Sequence, residues 1–426
     1  MTNTAPPSAT IQDLPNGPLD RCQICGGGEL EHVIDLGHQP PCDSLLAAAQ
    51  LREAERVYPL NLVRCGACGL VQIDYVVPPG TLFHPEYPYR SGITATLARN
   101  LRQTGAMLTE KYGLGADALA VDIGSNDGTL LRGFKDKGLR VLGIEATNVA
   151  EIANAEGIET IQAFFDEALA ERVLAERGPA SVITAANMFA HVPNLGALLR
   201  GVGRLLRDGG VFVTESHYLL DLVETTQYDS VYHEHLKYYS LKPLIRLFGD
   251  FGFTVVDVDR IPNYGGSIRV YAAKVRDAQV SPRVAELIAE EERAGLYDPA
   301  TYAALRERVV RSRLDLQEML LRLRREGRPA PGIGCPGRCS TLLNYCDIDR
   351  KLMPYIAEQS TSLKLGLHLP GKHIPIVDEQ RLFDEQPDYA VMLSWHYATP
   401  IIRALRERGL RSQIIVPLPD VHVIDA

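Results

Sequence analysis

Val121-Asp122-Ile123-Gly124-Ser125-Asn126-Asp127-Gly128 is the stretch whose reading decides the fold. It closes an apolar strand over Ala118–Ile123, and two glycines then frame an acidic turn that opens a helix over Gly128–Lys137. Gly124 lets the turn tighten, and Gly128 lets the helix approach the sheet and a ligand. The next predicted strand, Arg140–Glu145, ends in a carboxylate. Such an acid, about twenty residues after the turn, is where a doubly wound sheet accepts ribose hydroxyl protons.

Around this turn the chain alternates. A helix over Ile93–Tyr112, ended by Gly113, comes before it, and a helix over Asn148–Glu156 and strands over Val182–Ala186 and Val211–Glu215 follow. That alternation predicts βαβ units on a parallel, Rossmann-type sheet, an α/β fold. The turn is not the dinucleotide Gly-x-Gly-x-x-Gly fingerprint, and Asp127 would repel a pyrophosphate. A cationic sulfonium cofactor without phosphate suits an acidic turn. S-adenosylmethionine is therefore expected, held by Asp122, Gly124, Ser125, Asn126, Asp127 and Gly128, with Glu145 on the ribose. The bland reading is a capped helix after a strand, and Glu145 weighs against it. Phe165 and Asp166, after the third strand, are candidates to pack on and hydrogen-bond adenine, although paired Phe residues are often simply core. Asn187, after the fourth strand, stands where the carboxyl end of an open sheet faces its ligand.

Cys22-Gln23-Ile24-Cys25 and Cys65-Gly66-Ala67-Cys68 supply four thiolates in two knuckles, the tetrahedral sulfur set that zinc favours. Gly26 and Gly69 follow each pair and help the backbone wrap around the metal. Four protein ligands leave no open position, so Zn2+ is expected to be structural. Free thiols or a redox pair are the competing reading, and Cys42, His32 and His38 are lesser candidates as ligands.

Four of the eight cysteines fall in these two Cys-x-x-Cys pairs, which fits metal chemistry in a reducing cytoplasm better than a secreted disulfide framework. A net charge of −9 argues against a nucleic-acid partner, and no apolar run reaches the length of a membrane span. With 426 residues, two or three domains are expected. They are read as a disordered lead (1–20), a zinc-binding module (21–80), a cofactor-binding catalytic domain (81–278), a solvent-facing helical connector (279–328) and a smaller Rossmann-like α/β substrate domain (329–426). In that last unit Gly332-Ile333-Gly334-Cys335-Pro336-Gly337 spells the dinucleotide fingerprint. It lacks a convincing strand before it and an acid at the ribose distance, and reads as a strand-to-helix turn near a substrate phosphate.

Proton-transfer chemistry is concentrated in Tyr232-His233-Glu234-His235. Imidazole accepts protons near neutral pH, and Glu or Tyr orient and polarise. The spacing is not that of a metalloprotease helix. A polar surface turn with one core histidine is the bland alternative. Asn187–His191, after the fourth strand, adds His191, and Glu86-Tyr87-Pro88-Tyr89-Arg90-Ser91 reads as a lid.

The order of these motifs resembles the sugar C-methyltransferases, which modify nucleotide-linked 4-keto deoxysugars. The resemblance spans nearly the whole chain: the four-cysteine module, Glu86–Ser91, Asp122–Gly128, Asn187–Val192, Tyr232–His235, Ser340-Thr341-Leu342-Leu343-Asn344-Tyr345 and Leu369-Pro370-Gly371-Lys372-His373-Ile374-Pro375. It implies a class I methyltransferase-like central sheet and methylation of C3 of a dTDP-linked 4-ketosugar through a base-generated enolate. His235 would be the base, with Glu234 and Tyr232 at the substrate and His191 nearby. Tyr87, Tyr89, His233, Asn344, Lys372 and His373 would bind the substrate, and a monomer is expected. Gly334–Cys339 and Leu367-His368 depart from the family pattern and bear on the substrate's identity. An O- or N-methyltransferase on a related acceptor, and a non-catalytic zinc-ribbon scaffold, are the alternatives.

Overall fold

The computed structural model describes residues 16–82, 92, 95–275 and 278–425. Its centre is a seven-stranded sheet built from β1 (Leu119–Ile123), β2 (Arg140–Glu145), β3 (Thr160–Gln162), β4 (Ala180–Ala186), β5 (Leu206–His217), β6 (Thr254–Ile261) and β7 (Ser267–Ala273). The order across the sheet is β6-β7-β5-β4-β1-β2-β3. The first five strands run parallel, and β7 enters antiparallel between β5 and β6. Every side chain of β1 is buried, the mark of a strand covered on both faces. The strand order reverses direction between β1 and β4, so their carboxyl ends open the crevice where such sheets bind ligands.

The predicted strand Arg140–Glu145 is observed with those bounds, and Ala118–Ile123 shortens by one residue to β1. The sequence reading missed the β6–β7 hairpin. Thr254–Ile261 and Ser267–Ala273 join through a single 3₁₀ turn at Asn263–Gly265, with no α-helix between them to signal the return.

The zinc module is a four-stranded antiparallel sheet ordered Lys237–Tyr238, Val71–Ile73, Tyr58–Cys65, Leu30–Gln39. Its first strand belongs to the segment that follows His235, far along the chain. Gly17–Pro18 pairs with Tyr75–Val76, so the end of the expected disordered lead is ordered. The expected connecting helix is two helices, Pro282–Arg293 and Pro299–Arg325, separated at Gly295 (φ +67°) and restarted by an Asp298 cap. It is not merely solvent-facing. Tyr302, Leu305, Val309, Leu316, Leu320 and Leu323 form a buried stripe at helical spacing. Arg306 also donates to the carbonyls of His32 and Val33 in the zinc module, and Arg308 to that of Val223 in the catalytic unit.

The C-terminal unit has a six-stranded sheet ordered Ile376–Asp378, Ile356–Glu358, Gly332–Ile333, Tyr389–Met392, Gln413–Val416, His422–Ile424. All neighbours are parallel except the last pair. Gly332–Ile333 is thus a strand in its own right, and the helix Arg338–Tyr345 follows the glycine turn as expected.

Candidate active site

The cofactor loop leaves β1 at Gly124, whose φ of +72° suits glycine, and a Cβ there would stand 2.8 Å from Met188 Cγ. A Cβ on Gly128, at φ +75°, would stand 2.9 Å from Ile158 Cγ2. Asn126 N donates to Glu145 Oε2 at 2.9 Å, while Thr147 N and Oγ1 donate to Glu145 Oε1 at 2.9 and 2.8 Å. Glu145 is therefore held by neighbours at the end of β2, its direction set. Beneath it, Asp122 accepts from Thr184 Oγ1 at 2.6 Å, and burial raises its carboxyl to about 7. Ser125 Oγ and Asn187 Oδ1 are buried without a hydrogen-bond partner. Asn187 also has a positive φ of 57°, with its N–H tied to the Glu215 carbonyl. A buried orphan acceptor beside the β1–β4 crevice suits a ligand N–H, so the loop fits an amino-acid-bearing nucleoside such as S-adenosylmethionine.

The four knuckle cysteines bring their sulfurs within 4.8 Å of one another. The pairs Cys22–Cys68 and Cys25–Cys65 both stand at 3.5 Å. Zn–S bonds of about 2.3 Å require tetrahedral edges of about 3.8 Å, so the cluster fits zinc. Backbone N–H groups of Ile24 and Cys25 point at Cys22 Sγ, as a thiolate needs.

The catalytic loop begins in a short 3₁₀ turn, Tyr228–Ser230, and closes on His235, which is 3% exposed. Ser230 O lies 2.8 Å from His235 Nδ1. A carbonyl only accepts, so Nδ1 carries the hydrogen and Nε2 is left with the lone pair. Three rings surround it, with centroids at 3.9 Å for Tyr232, 4.6 Å for His217 and 4.9 Å for His191. Burial, then the neighbouring His217 and His191, holds His235 well below the usual histidine value. Burial likewise lowers His191 to about 4 and His217 to about 3. All three imidazoles are neutral at pH 7.

Three family profiles tile the chain: a zinc binding domain over residues 22–83, a methyltransferase domain over 94–258 and a C-methyltransferase C-terminal domain over 262–419. C-methyltransferase NovU of Streptomyces niveus is 35% identical over 421 residues, covering 98% of this chain and 99% of that one. The chain belongs to this C-methyltransferase family. A ubiquinone biosynthesis O-methyltransferase of Burkholderia vietnamiensis is 33% identical over 94 residues, 21% of this chain and 40% of that one. Among solved structures, magnesium protoporphyrin IX methyltransferase from Synechocystis PCC 6803 with bound SAH is 15% identical at a TM-score of 0.33, covering 41% of this chain and 82% of that one. The C-methyltransferase described here is S-adenosylmethionine-dependent and carries a zinc site.

Several expected site residues of this C-methyltransferase have partners within the protein. His233 reaches the zinc module: its Nε2–H meets the carbonyls of Tyr58 and Pro59, at 3.3 and 3.2 Å, and its ring meets Tyr58 edge-on, while its Nδ1 is buried without a partner. Asp127 accepts from Thr129 at Oδ1 and from Gly92 N at Oδ2, organising the helix start. Phe165 packs where a Cβ on Gly201 would lie, and the exposed ring of the pair is Phe164. Asp166 caps the helix Glu167–Arg177. Asn344 donates to the Pro370 carbonyl, Lys372 pairs with Asp347, and His373 Nε2 stands 2.5 Å from Glu55 Oε1. Those three pin the Leu369–Pro375 turn against its neighbours. Cys42 lies not at the zinc cluster but 3.6 Å from Glu234 Oε1, and His32 and His38 lie exposed on the strand Leu30–Gln39. Tyr87 and Tyr89 lie outside the described residues.

Two residues went unread in the sequence. His217 ends β5 at the sheet's carboxyl edge, and that placement was its only signal. Arg338 is 6% exposed and forks onto Asp229, with Nε to Oδ2 and Nη2 to Oδ1 both at 2.8 Å. Trp395 Nε1 donates to the same carboxylate at 2.7 Å. A lone arginine after a glycine turn gave no hint of a partner more than a hundred residues earlier.

Proposed function

We propose that this enzyme methylates C3 of a nucleotide-linked, dTDP-type 4-keto deoxysugar, with His235 as the base. The observation that carries this reading is the Ser230 carbonyl 2.8 Å from His235 Nδ1, which selects the tautomer. That Nδ1–H is committed to the Ser230 carbonyl, so Nε2 presents a lone pair inside a buried cluster of rings. A C4 ketone acidifies the neighbouring C3–H, and Nε2 takes that proton, leaving the electron pair delocalised onto the ketone oxygen. Donors around that oxygen stabilise the charge. Tyr232, whose phenol is held protonated by burial, and the neutral imidazoles of His191 and His217 are the nearest such groups. Bound S-adenosylmethionine supplies a methyl group on an electrophilic sulfonium. Glu145, Ser125 and Asn187 orient that cofactor at the β1–β4 crevice, on the same carboxyl edge of the sheet as His217 and the segment bearing His191.

Turnover of nucleotide-linked 4-ketosugars with isotope-labelled methyl donor tests the reading. The product's NMR spectrum is expected to lose the C3 proton signal and gain a methyl on that carbon. Label appearing on oxygen or nitrogen would sink it in favour of an O- or N-methyltransferase.

A further inference from the structure

Lys237 opens the strand that the catalytic loop lends to the zinc sheet, paired with Gln72, and it is 1% exposed. Its Nζ donates to the Val192 carbonyl at 2.6 Å. Leu236 N donates to the Ala190 carbonyl at 3.0 Å, and the Tyr239 hydroxyl donates to that of Phe189 at 3.3 Å. The carbonyls on both sides of His191 are thus taken by residues 236–239, which follow His235 directly. His191 and His235, whose ring centroids stand 4.9 Å apart, are held in register by that one segment. Of these bonds, the one from Lys237 is the one that carries a charge.

An ammonium taken out of water without a counter-ion is strongly disfavoured. Among the described residues no carboxylate pairs with Lys237. Burial disfavours its charge, and the Cys22 sulfur is the group that favours it. Cys22 opens the first zinc knuckle, which lies against the same segment. Gln23 N donates to Gln72 Oε1 at 2.7 Å, and Gln23 Nε2 donates to the Leu236 carbonyl at 3.2 Å. Four thiolates around one Zn2+ keep a net negative charge, which nearby N–H donors and cations stabilise. Ile24 N and Cys25 N are the donors, and Lys237 is the cation. The ammonium acts toward the active site as well: after burial, its charge is what keeps a proton off His191.

We propose that Lys237 is a positioning residue of the methyl-transfer site, with the zinc–thiolate centre as its counter-ion. The ammonium ties the Val192 carbonyl to the charge of the metal centre and so fixes His191 beside His235. The zinc site then acts on the active site through charge as well as through folding. The positioning half rests on the reading that places His235 and His191 at the reacting carbon.

Lys237→Met, which keeps the length of the side chain and removes its charge and donors, tests this in the full-length zinc-loaded protein. Competition with a chromophoric chelator is expected to show zinc held roughly tenfold more weakly, and Lys237→Arg, which restores charge and donors, is expected to bring the affinity back. With a dTDP-linked 4-keto deoxysugar as acceptor, kcat of the zinc-saturated Lys237→Met protein is expected to fall roughly tenfold while KM for S-adenosylmethionine holds. Without any acceptor, the imidazole NMR signals of His191 are expected to shift in Lys237→Met and to return in Lys237→Arg. A folded Lys237→Met protein with wild-type zinc affinity, or a folded Lys237→Arg protein as weak as Lys237→Met, overturns the counter-ion. Wild-type kcat or unshifted His191 signals in Lys237→Met overturn the positioning role. A wild type that does not methylate this acceptor overturns the ketosugar reading instead, and the zinc and imidazole measurements still decide the role of Lys237. Should Lys237→Met not fold, the wild type decides alone: heteronuclear NMR of the lysine-labelled, zinc-loaded protein at neutral pH is expected to show Lys237 Nζ as an ammonium, and a neutral amine there overturns the proposal.

Discussion

His233 and His235 stand one residue apart, and spacing cannot rank them. Their environments can. His233 reaches backbone carbonyls of the zinc module, whereas His235 presents Nε2 to the ring cluster. His235→Asn is expected to lower kcat by about 10²- to 10⁴-fold, the span of a general base, while cofactor affinity holds. His233→Asn is expected instead to lower stability by about 1–3 kcal/mol, because buried carbonyls lose a donor, and to keep most of its kcat. Equal loss of turnover in both variants, with both folded, would refute the assignment. In heavy water the wild type is expected to exchange the C3 hydrogen for deuterium even with S-adenosylhomocysteine in the cofactor site, which mass spectrometry reads directly. Glu145→Ala, measured by calorimetry, is expected to weaken S-adenosylmethionine roughly ten- to hundredfold without loss of fold, since its contacts are with loop amides and not with the core.

At the scale of elements, the zinc module is part of the catalytic loop's scaffold. Lys237–Tyr238, directly after His235 and Leu236, is a strand of the module's sheet, paired with Gln72 and Val71. Gln23, inside the first knuckle, donates Nε2 to the Leu236 carbonyl at 3.2 Å, and Ile73 N donates to the same oxygen at 3.1 Å. Metal binding in such knuckles is folding energy. Removing zinc with a chelator, or Cys65→Ser, is therefore expected to release the amides of residues 236–238 along with the module and to abolish turnover. Hydrogen exchange monitored by mass spectrometry checks it: unchanged protection over 236–238 in the metal-free protein would mean that the loop stands without the module. The paired helices Pro282–Arg293 and Pro299–Arg325 brace the same region, Arg306 from the zinc side and Arg308 from the catalytic side.

Across the whole molecule, the joining of three sheets around one loop buries histidines that an isolated module would leave wet. Burial lowers His191 and His233 to about 4 and His217 to about 3, and depresses His235 and His396 as well. The unfolded chain takes up protons on these rings below pH 6.5 while the folded chain does not, so stability is full above 6.5 and falls as pH drops toward the folded values. Each such ring contributes about 1.4 kcal/mol per pH unit in that window. Urea unfolding midpoints are expected to fall steeply between pH 6.5 and 5, and a flat profile there would contradict the burial of this cluster. Among the described residues no helix is long and apolar enough to cross a membrane. The order of βαβ units, the two cysteine knuckles, the Gly124–Gly128 loop and the acid at Glu145 were all legible in the sequence. Each rests on local physics: glycine backbone freedom, the period of apolar residues, and ligands a turn apart. The choice between His233 and His235, the place of His217, the Arg338–Asp229 clamp and the loan of Lys237–Tyr238 to the zinc sheet were decided by the tertiary structure alone. Each of these depends on which distant backbone comes to lie against a side chain, and that is set by how the sheets pack rather than by any spacing along the chain.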